Sequence, residues 1–166
     1  MIELLVIADD FTGAMDTGVQ FKAKGTLIQV ASENCLSALG SLAPDLQVLI
    51  VDAETRHMQA DEAYRTVYRI VKAAVEAKIP CIYKKTDSGL RGNIGSELTA
   101  ALDASGNERL HFIPAFPRLG RTTVEGVHYI NGQPVAQSVF GEDPFEPVRS
   151  SQVQEIIRSQ SAVRTC

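Results

Sequence analysis

Two adjacent carboxylates, a hydroxyl and a glycine follow the first apolar run of this sequence, in Ala8-Asp9-Asp10-Phe11-Thr12-Gly13-Ala14. At a strand end that turns into a helix, such carboxylates can accept hydrogen bonds from a polyol, hold a hydrated magnesium ion or take a proton from an attacking hydroxyl. The same residues also suit plain helix capping by Asp10 or Thr12. A denser group follows in Tyr83-Lys84-Lys85-Thr86-Asp87-Ser88-Gly89-Leu90-Arg91-Gly92-Asn93. It holds cations, a carboxylate, hydroxyls and an amide, with Gly89 and Gly92 allowing close backbone approach to a ligand. Arg91 could grip a carboxylate with both arms of its guanidinium, aided by exposed amides at the start of the next helix, or it could pair with Asp87. A third group is Asp52-Ala53-Glu54-Thr55-Arg56-His57, in which Arg56 is the best anion-binding residue. A fourth is Pro114-Ala115-Phe116-Pro117-Arg118-Leu119-Gly120-Arg121-Thr122, a stiff loop from which Arg118 and Arg121 could reach the same crevice.

The elements that must position these groups are legible as alternating periods. Apolar runs of strand length occur at residues 4–8, 27–31, 48–51, 81–83 and 110–113. Helical patterns lie between them, at about 14–24, 60–77 and 93–104. In the longest, Ala63, Val67, Ile70, Val71 and Ala74 share one face. Strands alternating with helices predict an α/β fold: a mostly parallel sheet with helices on both faces and ligands at the carboxyl ends of the strands. After residue 114 prolines and glycines break the pattern, and residues 127–130 are expected to pair with 134–139 as a small β-hairpin excursion around Asn131-Gly132. Residues 1–166 therefore read as a single α/β domain. A last helix from about residue 150 leads into Ala162-Val163-Arg164-Thr165-Cys166, which resembles the opening of a further strand and reads as a truncated C-terminal end.

Composition narrows the function classes. With 45% hydrophobic and 22% charged residues, the chain can build a core, which argues against disorder. The net charge of -4, without a run of like charges, lacks the basic footprint that nucleic acid requires. No apolar stretch is long enough to cross a bilayer, and residues 1–10 lack the basic start and small-residue cleavage site of a signal peptide, so no membrane partner is expected. Cys35, Cys81 and Cys166 form neither a disulfide framework nor a zinc site, which fits a cytoplasmic location. His111 and His128 lie on expected strands without a metal-ligand partner at useful spacing and read as structural, so no metal site is assigned. Tyr64 and Tyr68, at helical spacing, read as packing. Acids on one lip and cations on several others suit a small ligand carrying both hydroxyls and a carboxylate. The sequence has no GxxxxGK[ST] loop and no GxGxxG after a strand, so a nucleotide site is less evident.

The ordered motifs ADDFTGAMDTG, DAETR, YKKTDSGLRGNIGSEL, IPAFPRLGRTTVEG and GEDPFEP resemble those of the four-carbon acid sugar kinase family, long catalogued as a domain of unknown function. The resemblance covers the chain from about residue 1 to its last residue. It implies ATP-dependent phosphorylation of a hydroxyl on a threonate, erythronate or 3-oxo-tetronate. It further implies an amino-terminal domain that binds the acid and a separate nucleotide-binding domain, not represented here, that brings most of the ATP and Mg2+ contacts. Neither cofactor is expected on this chain alone. Carried over by motif, substrate contacts fall at Asp10, Arg56, Lys85, Thr86, Asp87, Ser88 and Gly89, with Arg91 and Asn93 as further candidates, and Asp9 or Asp10 is the catalytic carboxylate. The family usually has Ser-Thr where this chain has Ser88-Gly89, a change that bears on which acid fits. By this reading the chain alone binds sugar acid weakly or not at all, turns nothing over, and leaves room for a homo-oligomer.

Three other classes compete. Asp9-Asp10, Asp52 and Lys84 or Lys85 imitate the acidic pocket of a phosphoacceptor signalling domain. An aspartyl-nucleophile phosphatase needs its acids separated by one residue, and here they are adjacent. A non-catalytic sugar-acid-binding module would use the same residues without transfer.

Overall fold

The computed structural model describes residues 2–32 and 42–166. Strand β1 (Leu4–Ala8) leads into helix α1 (Phe11–Lys22) and β2 (Ile28–Ser32). Strand β3 (Val48–Asp52) is followed by α2 (Ala60–Glu76), β4 (Cys81–Lys85) and α3 (Ile94–Ser105). The four strands form a parallel sheet in the order β2-β3-β1-β4.

Each strand of the centre is apolar on both faces because both faces are covered. Leu5, Ile7, Leu49 and Val51 point to one side, where Val67, Ile70, Val71 and Ala74 of α2 and Ala100, Ala101 and Ala104 of α3 complete the main core. Val6, Ala8, Val48 and Ile50 point to the other, against Ala14 of α1. Helix α1 approaches closely through small residues: a β-carbon at Gly18 would lie 3.1 Å from Ile28 and 3.3 Å from Ile50. The crossover through α1 carries the chain past β3 in one direction, and that through α2 carries it past β1 in the other. With the two helices on opposite faces, the two crossovers share one hand, as the right-handed rule for parallel connections requires.

Beyond α3 the chain departs from the sequence expectation in three places. Residues 110–113 do not form a strand. Among the described residues their backbone pairs with no neighbour, Ile113 is 80% exposed, and Phe112 instead joins a second apolar cluster. The excursion is a three-stranded antiparallel sheet of β5 (Arg121–Val124), β6 (Val127–Ile130) and β7 (Gln133–Pro134), so the expected hairpin has an additional strand in front of it. Its last strand is short because Pro134 offers no amide to the ladder, and Val135 then turns inward in a 3-10 turn. The final helix, α4 (Val153–Arg158), is followed by residues 161–166 without regular structure. Ser161 and Val163 of this segment lie against α3 and the cluster beside it. That cluster joins Leu90, Ile94 and Leu98 to Ile130, Val135, Val148, Ile156 and Ile157. The excursion is thereby packed on the element that carries the dense polar loop.

Among the described residues no helix is long and apolar enough to cross a membrane. Cys81 and Cys166 are free and exposed, and Cys35 lies outside the described residues.

Candidate functional site

The register of the sheet sets the site. Ala8 lies opposite Asp52 on one side and Lys85 on the other, so the loops after β1, β3 and β4 leave the sheet at the same level. The loop after β1 turns to one face, whereas those after β3 and β4 turn to the opposite face. In open α/β sheets the ligand crevice lies between loops that diverge in this way.

Arg56 ties two of these loops together. Its Nε donates to Asp9 Oδ2 at 2.8 Å and its Nη1 to Asp10 Oδ2 at 2.5 Å, while its backbone amide donates to the Asp9 carbonyl at 3.1 Å. Burial works against the guanidinium charge, but the bond and charge of Asp9 outweigh it and hold the pKa above its usual value. Asp10 also caps α1, accepting from the Gly13 amide at 2.8 Å. The helix cap and the ion pair to Arg56 are therefore combined in one side chain. Asp9 is buried, its Oδ1 without a hydrogen-bond partner, whereas the Asp10 side chain is 27% exposed. Asp52, also buried at the rim, has its pKa raised by burial, with the charges of Glu54, Asp10 and Asp9 adding to the effect against one bond from the Glu54 amide.

Strand alternation separates the two lysines of β4. Lys84 points into the main core side, its Nζ 2.6 Å from Glu97 Oε2 of α3, with both side chains buried. This contact is not aligned as a hydrogen bond, and neither oxygen of Glu97 has a hydrogen-bond donor. Lys85 points to the opposite face. Its Nζ donates to the Thr86 carbonyl at 2.7 Å, and a β-carbon on Gly13 would lie 3.4 Å from that nitrogen. Lys85 thus stands over the start of α1, beside Asp10. Among the described residues it forms no ion pair.

The loop between β4 and α3 is held from several sides. Thr86 and Asp87 are buried, and Asp87 accepts from Arg91 Nε at 2.7 Å. Burial alone would raise the pKa of Asp87, but Arg91 and Arg56 bring it below the usual carboxylate range. Arg91 Nη1 donates to Asp143 at 3.1 Å, so its guanidinium is largely committed to acids of its own chain. Asn93 is a latch between loops, its amide donating to the carbonyls of Thr55 and Met58, both at 2.9 Å. Gly92, at φ +83°, packs against the Arg56 backbone. The first amides of α3 are not free either, because Gly95 N donates to Gln160 Oε1 at 2.7 Å. Ser88 is half-buried, and Gly89 is pressed against Phe140, whose ring a β-carbon at 89 would meet at 2.4 Å.

The fold gathers Asp9, Asp10, Arg56 and Lys85 at the carboxyl ends of the strands and sets Thr86, Asp87, Ser88 and Gly89 in the adjoining loop after β4. Arg91 and Asn93 act within the wall as structural ties. Outside the crevice, His57 is exposed and lies 3.5 Å from Glu146, and His111 is exposed in an irregular segment. His128 is fully buried, bonded to Thr123 and to the Ser88 carbonyl at 2.9 Å each. Tyr64 stacks on Tyr68 with ring centroids 5.9 Å apart. Sequence reasoning missed Glu97, Phe140, Asp143 and Gln160. The polar tail of GEDPFEP was a motif without a role, whereas nothing in the local sequence distinguishes Gln160 from an ordinary surface residue.

The strand order also separates this site from the phosphoacceptor alternative, whose sheets run 2-1-3-4-5 with the first strand between the second and third. Here β3 lies between β1 and β2.

Comparison with known proteins gives a consistent picture. A family model described as a sugar-binding N-terminal domain matches residues 4–166. The chain is 42% identical over 163 residues to a D-threonate kinase of Salmonella typhimurium, covering 98% of this chain and 38% of that protein. It is 34% identical over 166 residues to a D-erythronate kinase of Heliobacterium modesticaldum, covering 97% and 37% respectively. A crystal structure from Bordetella bronchiseptica, described as a domain of unknown function with bound citrate in a domain-swapped dimer, superposes with a TM-score of 0.88 at 34% identity, over 95% of this chain and 40% of the other. The chain thus spans less than half the length of these relatives.

Proposed function

Because the chain belongs to the sugar-binding N-terminal domain family, we propose that it is the acid-binding domain of an ATP-dependent four-carbon acid sugar kinase acting on a threonate, an erythronate or a 3-oxo-tetronate. The observation that carries this reading is the Arg56 bridge to Asp9 and Asp10 beside a Lys85 that forms no ion pair among the described residues. Such a site offers acceptors for substrate hydroxyls and a cation for the substrate carboxylate at one strand-end crevice. The citrate of the Bordetella relative supports a ligand rich in carboxylate and hydroxyl groups, and its dimer supports a homo-oligomer.

Asp10, the more exposed carboxylate, accepts the hydrogen bond of the hydroxyl to be phosphorylated and takes its proton as the oxygen attacks. Asp9, deeper and paired with Arg56 Nε, fixes the guanidinium that in turn fixes Asp10. Lys85, Thr86 and Ser88 hold the other end of the acid. ATP with its Mg2+ would supply the phosphoryl group and is bound mainly by a nucleotide domain outside this chain. Phosphoryl transfer rests on positioning and charge neutralisation, which this chain supplies only on the acceptor side.

Binding of D-threonate and D-erythronate, measured by thermal shift on the chain and on Asp10→Ala and Arg56→Ala, tests the reading. A stabilisation by one acid that both substitutions abolish is the expected result. A ligand at about 100 times its dissociation constant stabilises by about 2.7 kcal/mol, so binding would be visible at high acid concentration. A shift that persists in both variants would exclude this crevice.

A further inference from the structure

The cations of β4, β5 and the strand-end loops are unequally occupied. Arg56 is neutralised by Asp9 and Asp10, Arg91 by Asp87 and Asp143, and Lys84 by Glu97. Arg121 is different. Among the described residues it forms no ion pair, and its Nε is buried without a hydrogen-bond partner. Its Nη1 donates only to the Leu119 carbonyl.

Its position is nevertheless built. Arg121 opens β5, where its backbone bonds in both directions with Phe116, and Gly120 before it takes a left-handed turn at φ +69° whose carbonyl accepts from Asn131 N at 2.7 Å. The guanidinium carbon lies 5.8 Å from the centroid of Phe140, the ring that packs on Gly89 and also carries Arg91 at 5.0 Å. The same small sheet reaches the loop through His128, which bonds to the Ser88 carbonyl. A half-buried cation held on an aromatic face, its Nε buried without a partner and its outer nitrogens still reached by solvent, next to a loop that lines a polyol site, suits an anionic oxygen.

We propose that Arg121 is a carboxylate-binding residue of the acid site, facing the Ser88-Gly89 end of the crevice. This rests on the sugar-acid reading above and assigns the charged end of the ligand. The absence of a side chain at 89 belongs to the same arrangement, because Phe140 fills that volume and brings the guanidinium up to the loop. The ligand's hydroxyls are then directed towards Asp10.

Nitrogen-15 NMR on the chain tests the assignment, since the buried Arg121 Nε–H gives its own resonance, identified by its loss in Arg121→Lys. Titration with D-threonate and with D-erythronate at millimolar concentrations is compared with neutral threitol and with inorganic phosphate. The expected result is a saturable shift of that resonance with one of the acids and none with threitol, accompanied in Arg121→Ala by a weakening of acid binding of about tenfold or more, the value for losing one charge-assisted bond. Retention of the remaining amide spectrum in Arg121→Ala, or partial rescue by Arg121→Lys, separates this from unfolding. Acid-induced shifts at Asp10 and Arg56 with none at Arg121, or unchanged affinity in Arg121→Ala, overturn the proposal and leave the sugar-acid reading intact. A response to phosphate alone overturns the carboxylate assignment. No response to any acid at millimolar concentration overturns the assignment of Arg121 as a carboxylate-binding residue of this chain.

Discussion

Arg56 is asked to do two things at once, and its substitution should reveal both. It is the counter-ion of a carboxylate that is only 2% exposed, and it supports Asp10 at the crevice surface. Removing one partner of a buried pair leaves the other charged and poorly solvated, a loss of about 3–5 kcal/mol. Urea unfolding of Arg56→Ala should show a loss of that size, and a loss below about 1 kcal/mol would mean that water reaches Asp9 freely. His128 offers a second test at this scale. Burial lowers its pKa from the ordinary value of 6.5, so the fold favours the neutral ring, with Nε2–H donating to Ser88 and Nδ1 accepting from Thr123. Its contribution is fully present above about pH 6.5, begins to fall once the unfolded chain takes up the proton below that value, and is gone below the folded pKa. Stability measured from pH 7 down to 5 should therefore decline in the native chain and decline less in His128→Gln. Equal slopes would remove His128 from the account.

At the scale of elements, the loop between β4 and α3 owes its shape to a contact that reaches 51 residues along the chain. Gly89 and Phe140 occupy one volume, and a β-carbon would sit 2.4 Å from the ring. Gly89→Ala should cost about 1–3 kcal/mol by overpacking. Added to Phe140→Leu it should cost less than it does alone, so a double-mutant cycle should give a coupling of about 0.5 kcal/mol or more; additivity within error would mean that the two residues do not meet. This pair also marks what the sequence could and could not reveal. Strands β1 to β4 and helices α1 to α3 were legible because burial on a sheet face or helix face leaves a period in the chain. The acids after β1, Arg56 and the loop from Lys85 were legible because they follow strand ends. Residues 110–113 look like a strand by composition, but a strand needs a partner for its backbone, and partnership is not local. Arg121, Thr122 and Thr123 of β5 are polar or half-buried and carry no period of their own. Asp143 and Gln160 reach their partners from 52 and 65 residues away, and no local pattern encodes such a distance.

The whole molecule closes on itself at α3. Gln160, just beyond α4, accepts from Gly95 N at 2.7 Å and donates to the Gly92 carbonyl at 2.9 Å, so the last helical segment holds the first turn of α3 and the loop before it. Gly92 in turn packs on Arg56, and Asn93 binds the carbonyls of the loop that carries Arg56. A continuous set of contacts therefore runs from α4 through α3 to the loop that carries Arg56. Position 95 is its narrowest point, because a β-carbon there would lie 2.4 Å from the Ile157 carbonyl. Backbone cannot yield as a side-chain tip can, so Gly95→Ala should displace α4 from α3 instead of being absorbed locally. Hydrogen exchange should then show lost protection at Gly95 and at the α4 amides while the centre of the sheet, in β1 and β3, keeps its protection, as local opening requires. If the contacts are mechanically continuous, sugar-acid affinity falls in the same variant although residue 95 does not line the crevice. Lost protection with unchanged affinity would show instead that the α4 segment is a passive cover, and that the loops around Arg56 hold their arrangement without it.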